Sequence, residues 1–397
     1  MSSKAELDAI FARLTTAYNT LSADPKKATP KDKAQLKSAA LELISATQTP
    51  HENAFAFATQ NSVYPCYRVA GDCGLLAKWP KEVMSAGELA ELTGAEERLV
   101  VRIMRVLTSS GVFTEVGEAT YKHNTLSTTL SNPGFLSTAK FLNPGISNLP
   151  EYLAATSYRN PGSNPDTATP FQCGNNTPLT FYQALAADSK ARNGFDAQMK
   201  QSVLMERARF PKGFAETYDF EGEFGSLIKG EEDVAIVDVG GSGGHVLGDI
   251  IKHLPGLKGR KVLEDLPETV ESVTAPDGIE VVGYNFLEGI QPIKGAACYL
   301  FRQVFLNWSD AKGKQILQNT LPAMTRGHSR ILIMEPVMPP MKAPLMPAMI
   351  DIVMSQMGGQ IRTEKMWRAF LDEAGFEVVK IVPSNSNQTV IEAVPKK

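Results

Sequence analysis

Long apolar runs are missing from this 397-residue chain. No stretch of about 18 apolar residues is available to span a bilayer. The N-terminus, MSSKAELDAIF, meets charge too early for a signal peptide. Cysteine is scarce as well: Cys66, Cys73, Cys173 and Cys298 are scattered with no CxxC pair, which argues against a disulfide framework and against a zinc site. Neither sign of charge dominates, since 40 Lys and Arg against 43 Asp and Glu leave a formal net charge of −3. That balance removes the basic footprint of a nucleic-acid binder and the polybasic patch of a lipid binder. The expectation is a reduced, cytoplasmic, metal-free protein with no nucleic-acid or membrane partner. What the chain does have is 43% hydrophobic residues, enough for two domains with real cores.

Leu7, Ile10, Phe11, Leu14, Tyr18 and Leu21 fall at helical spacing, and after a Pro/Lys-rich break (DPKKATPKDK) so do Leu36, Leu41, Leu43 and Ile44. Two such stripes at a terminus need cover, either from their own domain or from a second subunit; a homodimer is the favoured expectation. In SAGELAELTGAEERLVVRIMRVLTSSGVFTEVGEATYKHN, Ser85 and Glu88 form a capping box and Gly94 separates two helices. The second shows Leu99, Ile103 and Leu107 on one face, and a short hairpin follows Gly111. This is a winged-helix pattern. A DNA reader would want a cationic recognition helix, but Arg98, Arg102 and Arg105 share theirs with Glu96 and Glu97. A packing or dimerisation module fits better. Residues 160–178, rich in Pro, Gly and Asn, read as a loop of the kind that lies over sites, and two helical stretches follow.

From Val234 onward short β-rich runs alternate with helical ones, the pattern of an α/β domain with a parallel sheet. The last two runs, joined by Asn385, Ser386 and Asn387, read as an antiparallel hairpin. The sharpest motif is VDVGGSGGHVLGDIIKHLP: a strand ends at Asp238, Gly240, Gly241, Gly243 and Gly244 make a tight turn, and a helix begins near His245. Such a turn lets a ligand approach the backbone and meet the unpaired N–H groups of the helix start. Asp265, in KVLEDL, stands at the distance where an acid accepts the hydroxyls of a ribose. A dinucleotide fold shares these features, although the spacing GGSGG is not GxGxxG.

Five segments in order, DVGGSGGH, EDLPETV, FRQVFLNWSD, LIMEPVMPP and GGQIRTEKMW, resemble the S-adenosylmethionine-dependent O-methyltransferases of plants and fungi, over nearly the whole chain. The resemblance implies a class I methyltransferase (Rossmann-like) α/β domain behind an N-terminal helical and winged-helix dimerisation domain. Its expected boundaries are 1–130 for the dimerisation domain, 131–225 for a helical substrate-cleft region and 226–397 for the cofactor domain. It also implies S-adenosyl-L-methionine as cofactor. Asp238, Gly240, Gly241 and Gly243 would hold its methionine part, Asp265 with Leu266 the ribose, and Asn285 and Phe286 the adenine. The family usually has Asp where Asn285 stands.

A base is missing. The family's strand-end motif reads approximately LRxxLHDWSD, and its His takes the substrate proton. Here that position is Leu306, and the Glu that supports the His in GGKERT-like segments is replaced by Ile361. Glu335 keeps the other acidic position. General-base catalysis contributes typically 10²–10⁴-fold, so the loss is large. Some fungal relatives bind S-adenosylmethionine yet catalyse pericyclic reactions, and this sequence is similar to such a pseudo-methyltransferase. The expected substrate is a polyketide or alkaloid intermediate such as a 2-pyridone alcohol. The alternatives are an O-methyltransferase of a phenol or enol that manages without the dyad, and a non-catalytic partner protein.

Pericyclic chemistry asks for a shaped apolar pocket and a donor or cation on a carbonyl. Arg302 lies four residues before Leu306, so strand alternation would put both on one face, while Gln303 points to the other. Arg302 is therefore a candidate catalytic and cofactor-binding cation, with a salt bridge or a contact to the adenine as the plain alternative. His123, where the wing meets the helical region, is the second catalytic candidate, against a capping or surface role. Phe195, Met199, Leu306, Met349, Met354 and Ile361 are the candidate substrate pocket, although methionines at this spacing are commonly core.

Overall fold

The computed structural model describes residues 3–23, 30–164, 167–209, 217–271, 273–275, 277–384 and 388–396. The Asn385–Asn387 connection lies outside them, as does most of the Pro/Lys-rich break. The chain divides into two units, Met1–Lys140 with Asn193–Gln198, and Phe141–Arg192 with Met199–Lys397.

In the first unit the helices Lys4–Ala23 and Pro30–Thr47 pack together, burying Ile10, Ala17, Ala39 and Ala46. The buried stripe is narrower than the sequence pattern, because Phe11, Tyr18, Leu41 and Ile44 stay exposed. Further along, the Ser85–Glu88 capping box starts helix Ala86–Thr93, Gly94 ends it in a left-handed conformation, and helix Glu97–Ser109 follows. Strands β1 (Val83–Ser85), β2 (Phe113–Gly117) and β3 (Thr120–His123) form an antiparallel sheet in the order β1-β3-β2. The buried face of Glu97–Ser109 is Val100, Met104 and Leu107, packed in one cluster with Trp79, Phe113 and Tyr121; Leu99 is exposed. The face is rotated by one residue from the expected one. Apolar side chains occupy so many adjacent positions (Val100, Val101, Ile103, Met104) that spacing alone permits either stripe, and the rings opposite decide.

The second unit holds a seven-stranded sheet: β4 (Val234–Val239), β5 (Arg260–Asp265), β6 (Ile279–Gly283), β7 (Cys298–Arg302), β8 (Arg330–Glu335), β9 (Phe376–Pro383) and β10 (Thr389–Pro395), ordered β6-β5-β4-β7-β8-β10-β9. Pairing is parallel from β6 to β8, and β10 runs antiparallel to both β8 and β9. Helices cover both faces, so the central strands read as continuous apolar runs; every residue of β4 is buried. The strand order reverses at β4, and in open α/β sheets a ligand binds beyond the carboxyl ends of the strands at such a switch point. That places attention on the ends of β4, β5 and β7.

The 160–178 excursion is not all loop. Thr169 caps a short helix Pro170–Gly174, with Pro170 at its start and Gln172 closing the capping box. The helix buries Phe171 against Phe141 and Phe181, whose ring centroids lie 5.1 and 5.4 Å away. Among the described residues no helix is long and apolar enough to cross a membrane.

Candidate active site

β4 delivers Asp238 to the switch point fully buried, and its Oδ2 has no hydrogen-bond partner. Burial pushes its carboxyl up to about 7, against the pull of the Arg302 charge. The loop that follows can pass over this carboxylate only as glycine: a Cβ on Gly241 would lie 2.5 Å from Asp238 Oδ2 and from Leu263 Cδ1. Gly240 (φ 74°), Ser242 (φ 52°) and Gly244 (φ 68°) are all left-handed, which folds the loop back toward β5. The N–H groups of Gly240 and Gly241 donate to the Glu264 carbonyl at 2.8 and 3.0 Å. Ser242 N–H donates to Asp265 Oδ2 and Leu266 N–H to Asp265 Oδ1, both at 2.8 Å. Burial raises the Asp265 pKa, and these two N–H groups oppose the rise. A carboxylate offers about four lone-pair sites, so Asp265 still has capacity for hydroxyls.

Past β6, Asn285 Oδ1 accepts the Leu287 N–H at 3.1 Å, and the Phe286 ring reaches to within 3.4 Å of where a Gly240 Cβ would sit. Two further aromatics stand there that sequence reading did not single out. Trp308 meets Phe286 edge-on at 6.0 Å and stacks on Tyr182 at 5.4 Å. Tyr182 feels the Asp265 charge. The signal for Trp308 was available in the NWSD motif; nothing local marks Tyr182, because only tertiary packing brings helix Phe181–Ala187 to this end of the sheet.

The expectation that Arg302 and Leu306 share a strand face is overturned. β7 ends at Arg302, Gln303 turns left-handed (φ 54°), and Leu306 follows in a 3-10 turn, Phe305–Asn307. Strand alternation does not survive that kink. Gln303 is held by its backbone: its N–H donates to the Met334 carbonyl at 3.0 Å and its carbonyl accepts Asn307 Nδ2 at 2.9 Å.

Leu306 is 7% exposed and Ile361 5%, so the two positions where the resemblance would place a His and a Glu hold buried alkyl groups. The segment carrying Ile361 runs against the Leu306 turn so closely that a Cβ on Gly359 would lie 2.0 Å from the Leu306 carbonyl oxygen. Ile361 N–H donates to Asp351 Oδ1 at 2.5 Å. Glu335, at the end of β8, accepts the N–H groups of Phe305 at 2.5 Å and Leu306 at 3.2 Å. Burial pushes its carboxyl up to about 7, while the Arg362 charge and these N–H groups pull it down.

The remaining candidates lie on other elements, and Met354 adjoins the Ile361 segment, its carbonyl accepting the Gly359 N–H at 3.1 Å. Met354 is half-buried and Met349 is 53% exposed on helix Leu345–Ser355, none of whose residues is buried. Met199 is exposed and Phe195 half-buried, on helix Ser189–Arg209. His123 belongs to the first unit. Its Nε2–H donates to the Ala77 carbonyl at 3.1 Å, Nδ1 lies 3.0 Å from Ser127 Oγ, and the ring packs on Trp79 and Phe113. Burial lowers its pKa. Both nitrogens are thus engaged within its own unit.

Comparison with known proteins gives the family. The O-methyltransferase domain matches residues 183–377, and the O-methyltransferase dimerisation domain matches residues 74–133. The O-methyltransferase mfmE of Annulohypoxylon moriforme is 31% identical, over 89% of this chain and 88% of its own. Among solved structures, one described as a pericyclic reaction enzyme superposes with a TM-score of 0.82 at 26% identity, covering 98% of this chain and 100% of its own. OxaC in complex with S-adenosylhomocysteine and oxaline gives a TM-score of 0.84 at 26% identity, with both chains covered in full (100% each). The chain belongs to the O-methyltransferase family, which uses S-adenosylmethionine as its cofactor.

Proposed function

We propose that this protein is an S-adenosylmethionine-binding pericyclase or cyclase. Its substrate would be a polyketide or 2-pyridone alkaloid intermediate that loses water to a quinone methide and closes by hetero-Diels–Alder or Alder-ene reaction. One observation carries the reading: both positions of the base dyad hold buried alkyl groups, Leu306 and Ile361, while the cofactor end of the site keeps its carboxylates. A degraded site would have no reason to lose one half and retain the other.

The residues present fit the cofactor. Asp238, with a buried oxygen lacking a partner, is suited to its ammonium group, and the Gly240–Gly243 cradle to the methionine backbone. Asp265 with Leu266 is suited to the ribose, and Asn285 and Phe286 to the adenine. When bound, S-adenosylmethionine supplies a fixed sulfonium charge and a transferable methyl group. The chain's own share is to exclude water around Leu306 and Ile361 and to present a cation. Arg302, whose charge already reaches Asp238, would donate to a substrate carbonyl and draw electron density as the C–O bond breaks. The departing hydroxide leaves as water with the proton of the heterocycle's hydroxyl, and ring closure then needs no proton acceptor. No role in this chemistry is assigned to His123. The matched dimerisation segment and the exposed Phe11, Tyr18, Ile44, Phe55 and Phe57 support a homodimer.

An O-methyltransferase of an already ionised phenol is the second reading, favoured by the activity named for mfmE. The test is mass spectrometry of the ligand released by denaturing fresh protein, then incubation with an acyclic 2-pyridone alcohol. Intact S-adenosylmethionine and a cyclised product formed without its consumption are expected. A methylated product with stoichiometric S-adenosylhomocysteine would overturn the pericyclase in favour of the transferase. Protein that binds neither cofactor nor substrate would leave a non-catalytic partner.

A further inference from the structure

The turn 304–308 joins the two halves of the site. At its start Val304 Cγ2 lies 3.2 Å from where a Gly240 Cβ would be; Leu306 is in its middle; Trp308, at its end, meets Phe286 and Tyr182. We propose that Glu335 and Arg362 are positioning residues that clamp this turn from its two sides, and thereby set both the Leu306 wall and the cofactor loop behind Val304. The inference goes beyond the choice of chemistry and holds for either reading above.

A helical turn leaves its first N–H groups and last carbonyls without internal partners. Here each side has an ion of the appropriate sign. On the N–H side, one carboxylate oxygen of Glu335 takes Phe305 and Leu306 together. On the carbonyl side, Arg362 Nη2 donates to the Trp308 carbonyl at 3.3 Å, and Nη1 to the Phe305 carbonyl at 3.0 Å, which also takes the turn's own Trp308 N–H at 3.2 Å. The guanidinium is itself immobilised. It pairs with Asp310 at 2.6 Å and lies over the Phe370 and Trp367 rings at 4.5 and 5.2 Å. Both clamp residues are only 1% exposed. Glu335 therefore has the backbone N–H groups of Phe305 and Leu306 as its partners. A planar fork and a bifurcated carboxylate fix a short turn more firmly than a single cap can.

The test is hydrogen exchange on the full-length protein, read by mass spectrometry, with S-adenosylhomocysteine binding measured by calorimetry. Glu335→Leu should speed exchange of the 304–308 amides by ~100-fold, leave β4 and β5 protected, and weaken the ligand by ~10-fold. Glu335→Gln, which keeps an acceptor oxygen, should restore protection and affinity to within roughly threefold. Arg362→Lys keeps the charge but loses the fork, and should loosen the same peptide to an intermediate degree. This variant keeps the question open to test should Glu335→Leu fail to fold. Unchanged exchange in Glu335→Leu or Arg362→Lys, loosening of the whole sheet, or no rescue by Gln would each overturn the clamp. None of these outcomes depends on which product the enzyme makes.

Discussion

Along the carboxyl edge of the seven-stranded sheet, the ends of β4 and β5 carry acids, whereas the turn after β7 and the segment facing it carry leucine and isoleucine. Both regions are buried and both are built with care: glycines cradle the first, and paired ions brace the second. The difference teaches that holding a charged cofactor and removing a proton are separable tasks, assigned to different strands. On the proposed reading, the half that would remove a proton is here an apolar wall on a firmly held backbone.

The sharpest way to break the comparison is to put the dyad back. Leu306→His combined with Ile361→Glu should raise methyl transfer to a phenolic acceptor by roughly 10²-fold, measured as label incorporated from methyl-labelled cofactor, with each single change giving far less. Disabling the other half should cost somewhat less. Asp238→Asn removes the charge while keeping the shape, and should weaken S-adenosylmethionine by about 10–100-fold in calorimetry, the worth of a hydrogen bond to a charged group.

Acidity gives a subtler test. The carboxyls of Asp238, Glu264 and Glu335 are each raised by burial to about 7. A cationic ligand group needs Asp238 ionised, so affinity should rise by about tenfold between pH 6 and 8, with proton uptake by buffer accompanying binding. Stability of the ligand-free protein should run the other way. Native pKa values above the unfolded ones mean that the folded state binds more protons between about pH 4 and 7. The stabilising contribution is complete below the unfolded values and is lost as pH rises through about 7, which calorimetry should read as a Tm lower by roughly 5 °C at pH 8 than at pH 5. The smallest effect is expected in the first unit: His123→Phe should lower Tm by only a few degrees, as a core substitution of about 1 kcal/mol, and leave cofactor affinity unchanged.

Much of this was legible in the sequence because it is local. The Ser85–Glu88 cap, the break at Gly94, the glycine loop and the strand–helix alternation each follow from a few neighbouring residues. The helix Pro170–Gly174 was legible too, through Thr169, Pro170 and Gln172, but the surrounding Pro, Gly and Asn masked the cap. Other features were beyond reach. One left-handed residue, Gln303, was enough to void a strand-alternation argument. Tyr182 and the Glu335–Arg362 clamp are products of packing between segments more than a hundred residues or a strand apart, where spacing carries no information.

Gly359 has a practical meaning for anyone sorting homologues by motif. Its Cα faces the Leu306 carbonyl so tightly that even a methyl group would collide, whatever residue occupies position 306. The glycines of GGQIRT therefore testify to how the backbone is stacked and carry no news of reactivity. A search that scores that motif as a whole would not separate this protein from relatives that keep His and Glu at positions 306 and 361. One that weighs positions 306 and 361 alone would set it apart.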